Sequence, residues 1–494
     1  MPPIAIIDPL TSWTFWFWAA ALAHLALQIA LAFRVIMQRR PTGESLAWIM
    51  VIFSFPVIGP LLYVTMGELR LGRRRARRFV ELYPPIRKWL AELPQRSLVD
   101  WSRLDPEFES LSQLGEALIG VPSLRGNHVE LIDDWQKVFA RLLADIEAAE
   151  RSCHLEFYIW SEGGEADKVV DALARAAGRG VVCRLLVDAM GSRAFLRSDQ
   201  VERLRDAGVT VQAALPGGLL RAPFVRFDLR LHRKIVVIDG RIAYTGSLNL
   251  VDPRYFKKDA GVGEWVDAMV RIEGPAVEAL GITFLSDWFV ETSSDLAELQ
   301  ATGDAHPQPS RGDCTVQVMP SGPALATDAV EQVLITAIYS ARQELVLTTP
   351  YFVPSEPLSL ALIAAARRGV KVILVIPARV DSKLVRFASG AFKGDMLRAG
   401  VRIMLFDQGL LHTKSISVDG SHSLFGSVNL DPRSMRLNFE ILLGIYDPEF
   451  TKHLRELQQR YIDGSHMMDF ARYQRRPRLR RIAENFARLL SPLL

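Results

Sequence analysis

Two stretches near the N-terminus, residues 13–33 (WTFWFWAAALAHLALQIALAF) and 46–66 (LAWIMVIFSFPVIGPLLYVTM), carry no charged side chain. About 20 apolar residues in a helix, at 1.5 Å each, cross a hydrocarbon core of roughly 30 Å. Both stretches are therefore expected to span a bilayer, with Trp13, Trp16 and Trp18 suited to its interface. Pro56, Gly59 and Pro60 are expected to bend the second stretch or make it a re-entrant hairpin. Nothing basic precedes the first stretch and a second follows it, which argues against a cleavable signal peptide.

Further along, the pattern becomes alternating helix and strand. Residues 133–150 put Trp135, Val138, Phe139, Leu142, Leu143 and Ile146 on one helical face. HLEFYIW (154–160) reads as a strand, VVDALARAAGRG as a helix ending at glycine, and VVCRLLVDA (181–189) as a buried strand. The order then recurs with ELVLTTPYF (344–352), LALIAAARRG (360–369) and VKVILVIPA (370–378). ALARAAGRGVVCRLLV (172–187) is identical to ALIAAARRGVKVILVI (361–376) at eight of sixteen positions. Self-similarity over so long a period predicts duplicated α/β domains, each with a largely parallel sheet. The resulting division is a membrane anchor (1–68), a basic connector (69–125), a first domain (126–291), a linker (292–315), a second domain (316–464) and a basic amphipathic segment (465–494).

Composition narrows the class. With 494 residues, 49% apolar and 23% charged, the chain falls outside disordered and collagen-like classes. Cys153, Cys183 and Cys314 are far apart and form no C-x-x-C pair, which excludes a disulfide framework and a cysteine zinc site. A net charge of +4 is too small to argue for nucleic acid. Local charge says more. Arg70, Arg73, Arg74, Arg75, Arg77 and Arg78 follow the second apolar stretch, whereas the connector between the stretches offers Arg39 and Arg40. The larger cluster weighs more under the positive-inside rule, so both termini and the bulk of the chain are expected in the cytoplasm, with the connector arginines pulling the other way. The cluster is a stop-transfer flank and also a candidate site for anionic head groups.

The candidate chemistry sits at equivalent places in the two copies. LHRKIVVIDGRIAYTGSLN presents His232, Lys234, Asp239, Ser247 and Asn249; LHTKSISVDGSHSLFGSVN presents His412, Lys414, Asp419, Ser427 and Asn429. Both fit H-x-K-x4-D-x6-G-S-x-N. Residues two apart on a strand share a face, so each His and Lys project into one cleft. Asp239 and Asp419 belong to the same motif, but each closes its strand at an Asp-Gly turn and reads as structural. Serine and asparagine then add a hydroxyl and an amide donor. Two such sets would surround a phosphodiester and stabilise a pentacoordinate transition state, with one histidine attacking phosphorus and the other protonating the leaving alkoxide. A nucleophilic histidine needs an acceptor on its other ring nitrogen. Aligning DAMVRIEGP with EILLGIYDP makes Asp267 and Glu440 equivalents on apolar strands, where a histidine partner would offset the cost of burial.

The doubled motif resembles the phospholipase D superfamily. With the N-terminal apolar stretches and the sequences DPRYFKKDAGVGEWVD, NLDPRSMRLNFE, GNHVELIDD and LEFYIW, nearly the whole chain is similar to bacterial cardiolipin synthases. That resemblance implies joining two phosphatidylglycerol molecules into cardiolipin and glycerol through a phosphatidyl-histidine intermediate. The two apolar stretches and the arginine run add the expectation of a multi-pass anchor in a bacterial inner membrane with the catalytic domain on the cytoplasmic side. The resemblance also implies no metal, nucleotide or other cofactor, anionic phospholipids as partners, and no nucleic acid; self-association stays open. Family usage makes His232 the nucleophile and His412 the general acid, a choice the symmetric sequence leaves undecided. A hydrolytic phospholipase D is the alternative enzyme; a nuclease and a retired scaffold are less favoured.

Two segments invite a lipid role. Leu219, Leu220, Arg221, Phe224, Arg226, Phe227 and Arg230 form either a lip against the bilayer or a hairpin completing the first sheet. Arg472, Arg475, Arg476, Arg478, Arg480 and Arg481, with Leu479, Ile482, Phe486, Leu489, Leu490 and Leu493, suggest a basic amphipathic helix on an anionic membrane, or one packed on the catalytic body or a second subunit.

Overall fold

The computed structural model describes residues 9–38, 40–96, 99–104, 106–217, 225–323 and 328–489. They fall into two compact units, one within Met1–Gly72 and Gly217–Asp228, the other within Arg73–Pro216 and Leu229–Leu494.

In the first unit, Pro9–Met37 is one 29-residue helix, and its part Trp13–Met37 is long and apolar enough to cross a membrane. The second apolar stretch takes the hairpin form. Helix Thr42–Ser54 stops ahead of Pro56, and the chain turns back through Ile58–Leu62 into a π-helical turn, Tyr63–Gly67. Trp48 meets Tyr63 edge to face at 5.5 Å, a contact that a continuous helix would not permit across 15 residues. A Cβ at Gly59 would lie 2.1 Å from the Val51 carbonyl oxygen, so the close approach of the two legs requires glycine. Residues 225–228 fold with this unit: the Arg226 N–H donates to the Arg70 carbonyl at 2.9 Å, and Arg226 pairs with Asp228 at 2.6 Å. Leu219, Leu220, Arg221 and Phe224 lie outside the described residues.

The second unit carries a sixteen-strand sheet among the described residues. Its first half runs Leu124–Ile132, Met269–Glu273, Ile242–Gly246, Ile235–Ile238, Ser152–Phe157, Val182–Asp188, Thr210–Ala214. The second half repeats this order with Cys314–Ser321, Asn438–Tyr446, His422–Gly426, Ser415–Val418, Glu344–Thr348, Lys371–Pro377, Arg402–Phe406. Leu124–Ile132 pairs antiparallel with Cys314–Ser321 and joins the halves into one sheet. Within each half only the last three strands run parallel, so the sheet is mixed rather than largely parallel. The reason lies in the motif itself. Asp239 and Gly240 have φ of 52° and 59°, Asp419 and Gly420 51° and 67°, and these tight turns, closed by the Arg241 and Ser421 N–H groups on the Ile238 and Val418 carbonyls at 3.0 Å, join antiparallel strands.

Helices cover the sheet with apolar faces. Trp135–Glu147 is capped by Asp134, which accepts from the Gln136 N–H at 2.8 Å, and buries Val138, Phe139, Leu142 and Ile146. Each such side chain contributes about 1.5–3 kcal/mol of burial. Helix Arg73–Arg96 is strapped to the same unit by the arginine run: Arg75 pairs with Glu291 at 2.6 Å, Arg78 donates to the Phe289 carbonyl at 2.7 Å, and Arg74 to that of Thr292 at 2.8 Å. These three arginines therefore bind protein in the folded state. The linker-like stretch contains a short helix, Leu296–Thr302, capped by Asp295. Near the C-terminus, helix Arg478–Leu489 buries Glu484 and Ala487 and leaves Leu479, Ile482, Phe486 and Leu489 exposed; Leu490 and Leu493 lie outside the described residues.

Candidate active site

Each motif histidine follows a two-residue strand that reaches into the other half of the sheet. Arg230–Leu231 pairs in parallel with Asn438–Phe439, and Leu410–Leu411 with Trp265–Val266. The next backbone bonds continue the pattern: the His232 N–H donates to the Phe439 carbonyl at 2.9 Å and the His412 N–H to that of Val266 at 2.8 Å. Each histidine thereby stands beside the residue that follows, a carboxylate of the opposite half. His232 Nδ1 is 2.7 Å from Glu440 Oε2, and His412 Nδ1 is 2.7 Å from Asp267 Oδ1. With Nδ1 as the donor, each Nε2 is the basic nitrogen.

The two pairs are not identical. Glu440 also accepts from the Ser427 hydroxyl at 2.5 Å and from Asn438 Nδ2 at 3.1 Å. Aspartate is one methylene shorter. Ser247 donates instead to the Ala268 carbonyl at 3.2 Å, and Asp267 Oδ2 has no hydrogen-bond donor in bonding geometry among the described residues. Both serines also accept a backbone N–H, from Ala268 and Ile441, so they steady the carboxylate-bearing strands. Asn249 accepts the Ile159 N–H at 3.2 Å through Oδ1, while its Nδ2 is buried without a partner, as is Oδ1 of Asn429. The unspent Asn249 Nδ2 is a donor that suits a phosphate oxygen; for Asn429 it is the acceptor Oδ1 that has no partner among the described residues.

Lys234 and Lys414 are buried, and each Nζ donates to the carbonyl of its own motif histidine at 2.6 Å. Asp239 and Asp419 lie elsewhere, at the hairpin turns. Asp239 accepts the N–H groups of Glu150, Arg151 and Ser152, and Asp419 those of Arg342, Gln343 and Glu344. Their work is to anchor the entry to a neighbouring strand.

Sequence reasoning missed three groups around this centre. Tyr158 sets its ring 4.9 Å from that of His232, and Trp265 sets its ring 4.4 Å from that of His412. Arg233, between the motif positions, donates to the Glu440 carbonyl and the Ser321 carbonyl, each at 2.9 Å, and pairs with Asp287. It ties the first half to the strand that carries Glu440. Beneath it Glu156 is fully buried, and burial with Asp287 nearby pushes its carboxyl well up. Tyr158 and Trp265 stood within the stretches LEFYIW and GVGEWVD; nothing in the sequence distinguished Arg233.

Burial dominates the electrostatics. It lowers His232 and His412 to about 4, although Glu440 and Asp267 pull the other way. Burial also lowers Lys234 to about 8 and Lys414 to about 7, the second helped by repulsion from Lys234. Burial pushes Glu440 and Asp267 up, but the histidine beside each and the nearby lysines outweigh it, leaving both below the ordinary carboxylate range. A pH prediction follows with opposite signs for two observables. Between about 7 and the usual lysine value near 10.4 the unfolded chain binds more protons than the folded one, so stability of the ligand-free protein rises with pH there. The histidines give the same sign between about 4 and 6.5. Binding a phosphate anion needs the lysines charged, so kcat/KM is expected to fall with a midpoint between about 7 and about 8 while the melting temperature still climbs. Melting curves and initial rates across pH 6 to 10 check both; Lys414→Met should flatten the stability slope.

The comparisons with known proteins agree with this layout. Residues 142–277 and 334–462 match the family described as "Cardiolipin synthase, PLD-like domain", and residues 26–68 match "Phospholipase_D-nuclease N-terminal". Cardiolipin synthase A of Erwinia tasmaniensis is 43% identical over 484 residues, 98% of this chain and 100% of that one. Its counterpart in Edwardsiella ictaluri is 44% identical over 477 residues, 97% and 98% of the two chains. The crystal structure of phosphatidylserine synthase from Haemophilus influenzae superposes with a TM-score of 0.59 at 15% identity, over 79% of this chain and all of that one, which bears on fold alone. The matched domains cover more than half of the chain and the relatives nearly all of it, so the chain belongs to the cardiolipin synthase family of phospholipase D-like proteins.

Proposed function

We propose that this protein is a phosphatidyltransferase that converts two phosphatidylglycerol molecules into cardiolipin and glycerol. The observation that carries the reading is the crossed pair of histidine–carboxylate contacts, 2.7 Å each, one contributed by each half of the duplicated unit. In the first step His232 Nε2 attacks phosphorus, a P–N bond forms, the P–O bond to glycerol breaks, and His412 gives its proton to the leaving alkoxide. In the second step His412 takes the proton from a hydroxyl of the second phosphatidylglycerol, the new P–O bond forms, and the P–N bond breaks. One phosphodiester replaces another, so the exchange is close to energy-neutral and runs without an activated nucleotide. The ammonium groups of Lys234 and Lys414 neutralise the non-bridging oxygens, whose charge grows in the pentacoordinate state, and the amide N–H groups of Asn249 and Asn429 donate to them.

Glu440 accepts from His232, Ser427 and Asn438, and Asp267 accepts from His412. Burial holds both imidazoles at about 4, so either is neutral for attack, and His232 is taken as the nucleophile because family usage assigns it. A bound phosphodiester adds the negative charge that restores a proton to a site whose burial otherwise disfavours it.

The substrates are phospholipids, and the apolar helix Trp13–Met37 keeps the protein at a membrane. We assign it to the inner membrane of a bacterium with the catalytic unit on the cytoplasmic side, supported by the arginines at 70–78. The test is purified protein in phosphatidylglycerol vesicles, with a chelator and without nucleotide, followed by mass spectrometry of the lipids. A four-chain product with an equivalent of glycerol is expected. Phosphatidic acid alone would make water the acceptor and the protein a hydrolase.

A further inference from the structure

The N-terminal unit has a polar end and an apolar end, and both ends of the hairpin lie at the polar one. Arg40, just ahead of helix Thr42–Ser54, pairs with Glu44 at 3.0 Å and donates to the carbonyl of Gly67, where the return leg finishes. Glu68, the next residue, accepts from Arg34 near the end of the long helix, from Arg70 at 2.7 Å and from the Tyr63 hydroxyl at 3.1 Å. The exit of the long helix, the entry to the hairpin and its exit therefore share one cluster of charges.

The opposite end is apolar. Phe55, Val57 and Ile58 at the turn are 56%, 75% and 60% exposed, a surface suited to acyl chains. The turn also meets the demand that hydrocarbon makes on backbone groups. Pro56 and Pro60 have no N–H to satisfy; the Phe55 N–H donates to the Val51 carbonyl at 3.2 Å and the Gly59 N–H to that of Phe55 at 2.7 Å. Gln28 spends its amide on the Ile52 carbonyl at 2.8 Å. Length agrees: the 13 residues of Thr42–Ser54 reach about 20 Å, short of a core of roughly 30 Å, whereas the 29 of Pro9–Met37 exceed it.

We propose that residues 42–67 form a lipid-facing wedge that stops short of the far face of the bilayer, entering and leaving on the side of the catalytic unit, so that the N-terminal unit crosses the bilayer once. Residues ahead of Trp13 then lie across the membrane from the catalytic unit. This removes a conflict in the charge pattern. With two crossings, Arg39 and Arg40 would face away from Arg70–Arg78; with one crossing and a wedge, all of them face the same side, and the end with no basic residue faces the other.

The inference rests on the membrane placement above, and the experiment separates the two. In whole cells, full-length protein carries Gly43→Cys, at an exposed position with open space around it, and a side-reporting tag at either end of the chain. The native cysteines are buried and give little background. The C-terminal tag reads the side of the catalytic unit by itself. Cys at 43 is expected to react with an impermeant maleimide only from the side of that tag, and the N-terminal tag to report the opposite side. Labelling of position 43 from the other side, or both tags on one side, overturns the wedge. A C-terminal tag found outside overturns the cytoplasmic placement and leaves the wedge to be judged by position 43 alone.

Discussion

His232→Ala is expected to lower phosphatidyl transfer by about 10⁴-fold or more, because without the nucleophile no covalent intermediate can form. His412→Ala is expected to fall almost as far on phosphatidylglycerol, for a different reason: glycerol leaves as a poor alkoxide unless it is protonated. A substrate whose head group is a nitrophenol needs no acid to depart. On that substrate His412→Ala should recover most of the lost first step and His232→Ala none, which separates the roles that the sequence left symmetric. Mass spectrometry gives a second readout, since with the nitrophenyl substrate His412→Ala should accumulate protein carrying one phosphatidyl group. Rescue of His232→Ala instead would exchange the two assignments.

The second large effect is expected at Glu440. Glu440→Gln keeps the shape and can still accept from Nδ1, but it removes the charge that stabilises an imidazolium and replaces one of the two acceptor oxygens shared by His232, Ser427 and Asn438 with a donor. A loss of about 10²- to 10⁴-fold in kcat is expected, with little change in KM. Removing this carboxylate also strips Lys234 of its main compensating charge. The alkaline fall of kcat/KM should therefore move to lower pH, a shift that mere loss of packing would not produce. Asp267→Asn should behave alike through His412. Unchanged pH profiles in both variants would make the two carboxylates structural.

The histidine and lysine positions were legible because strand geometry is local: two residues apart means one face. The carboxylates were legible only through the internal repeat, which made Asp267 and Glu440 equivalents. Which histidine each serves was hidden, since the pairing of Arg230–Leu231 with Asn438–Phe439 joins residues far apart in the chain. Arg233 was hidden for a similar reason, as its acceptors at Glu440 and Ser321 lie in the other half. The sheet was read as more parallel than it is, although the Asp-Gly turns that make it mixed were in view. Helix Arg73–Arg96 runs through Pro84 and Pro85, which suppress a helical reading, and its hold comes from tertiary contacts such as Arg75 with Glu291. The hairpin at 42–67 was one of two forms open to a stretch containing Pro56, Gly59 and Pro60; the sequence offered no measure of how deep it reaches.

The crossed contacts have a consequence for assembly. Residue i of one copy touches residue j of the other, and j of the first touches i of the second, which is the signature of a contact between identical subunits around a two-fold axis. Neither half holds a histidine together with its own carboxylate. A single copy could complete the same pair of contacts only by meeting a second copy around a two-fold axis. Joining the copies through residues 292–315 gives every molecule the complete site, whatever its concentration.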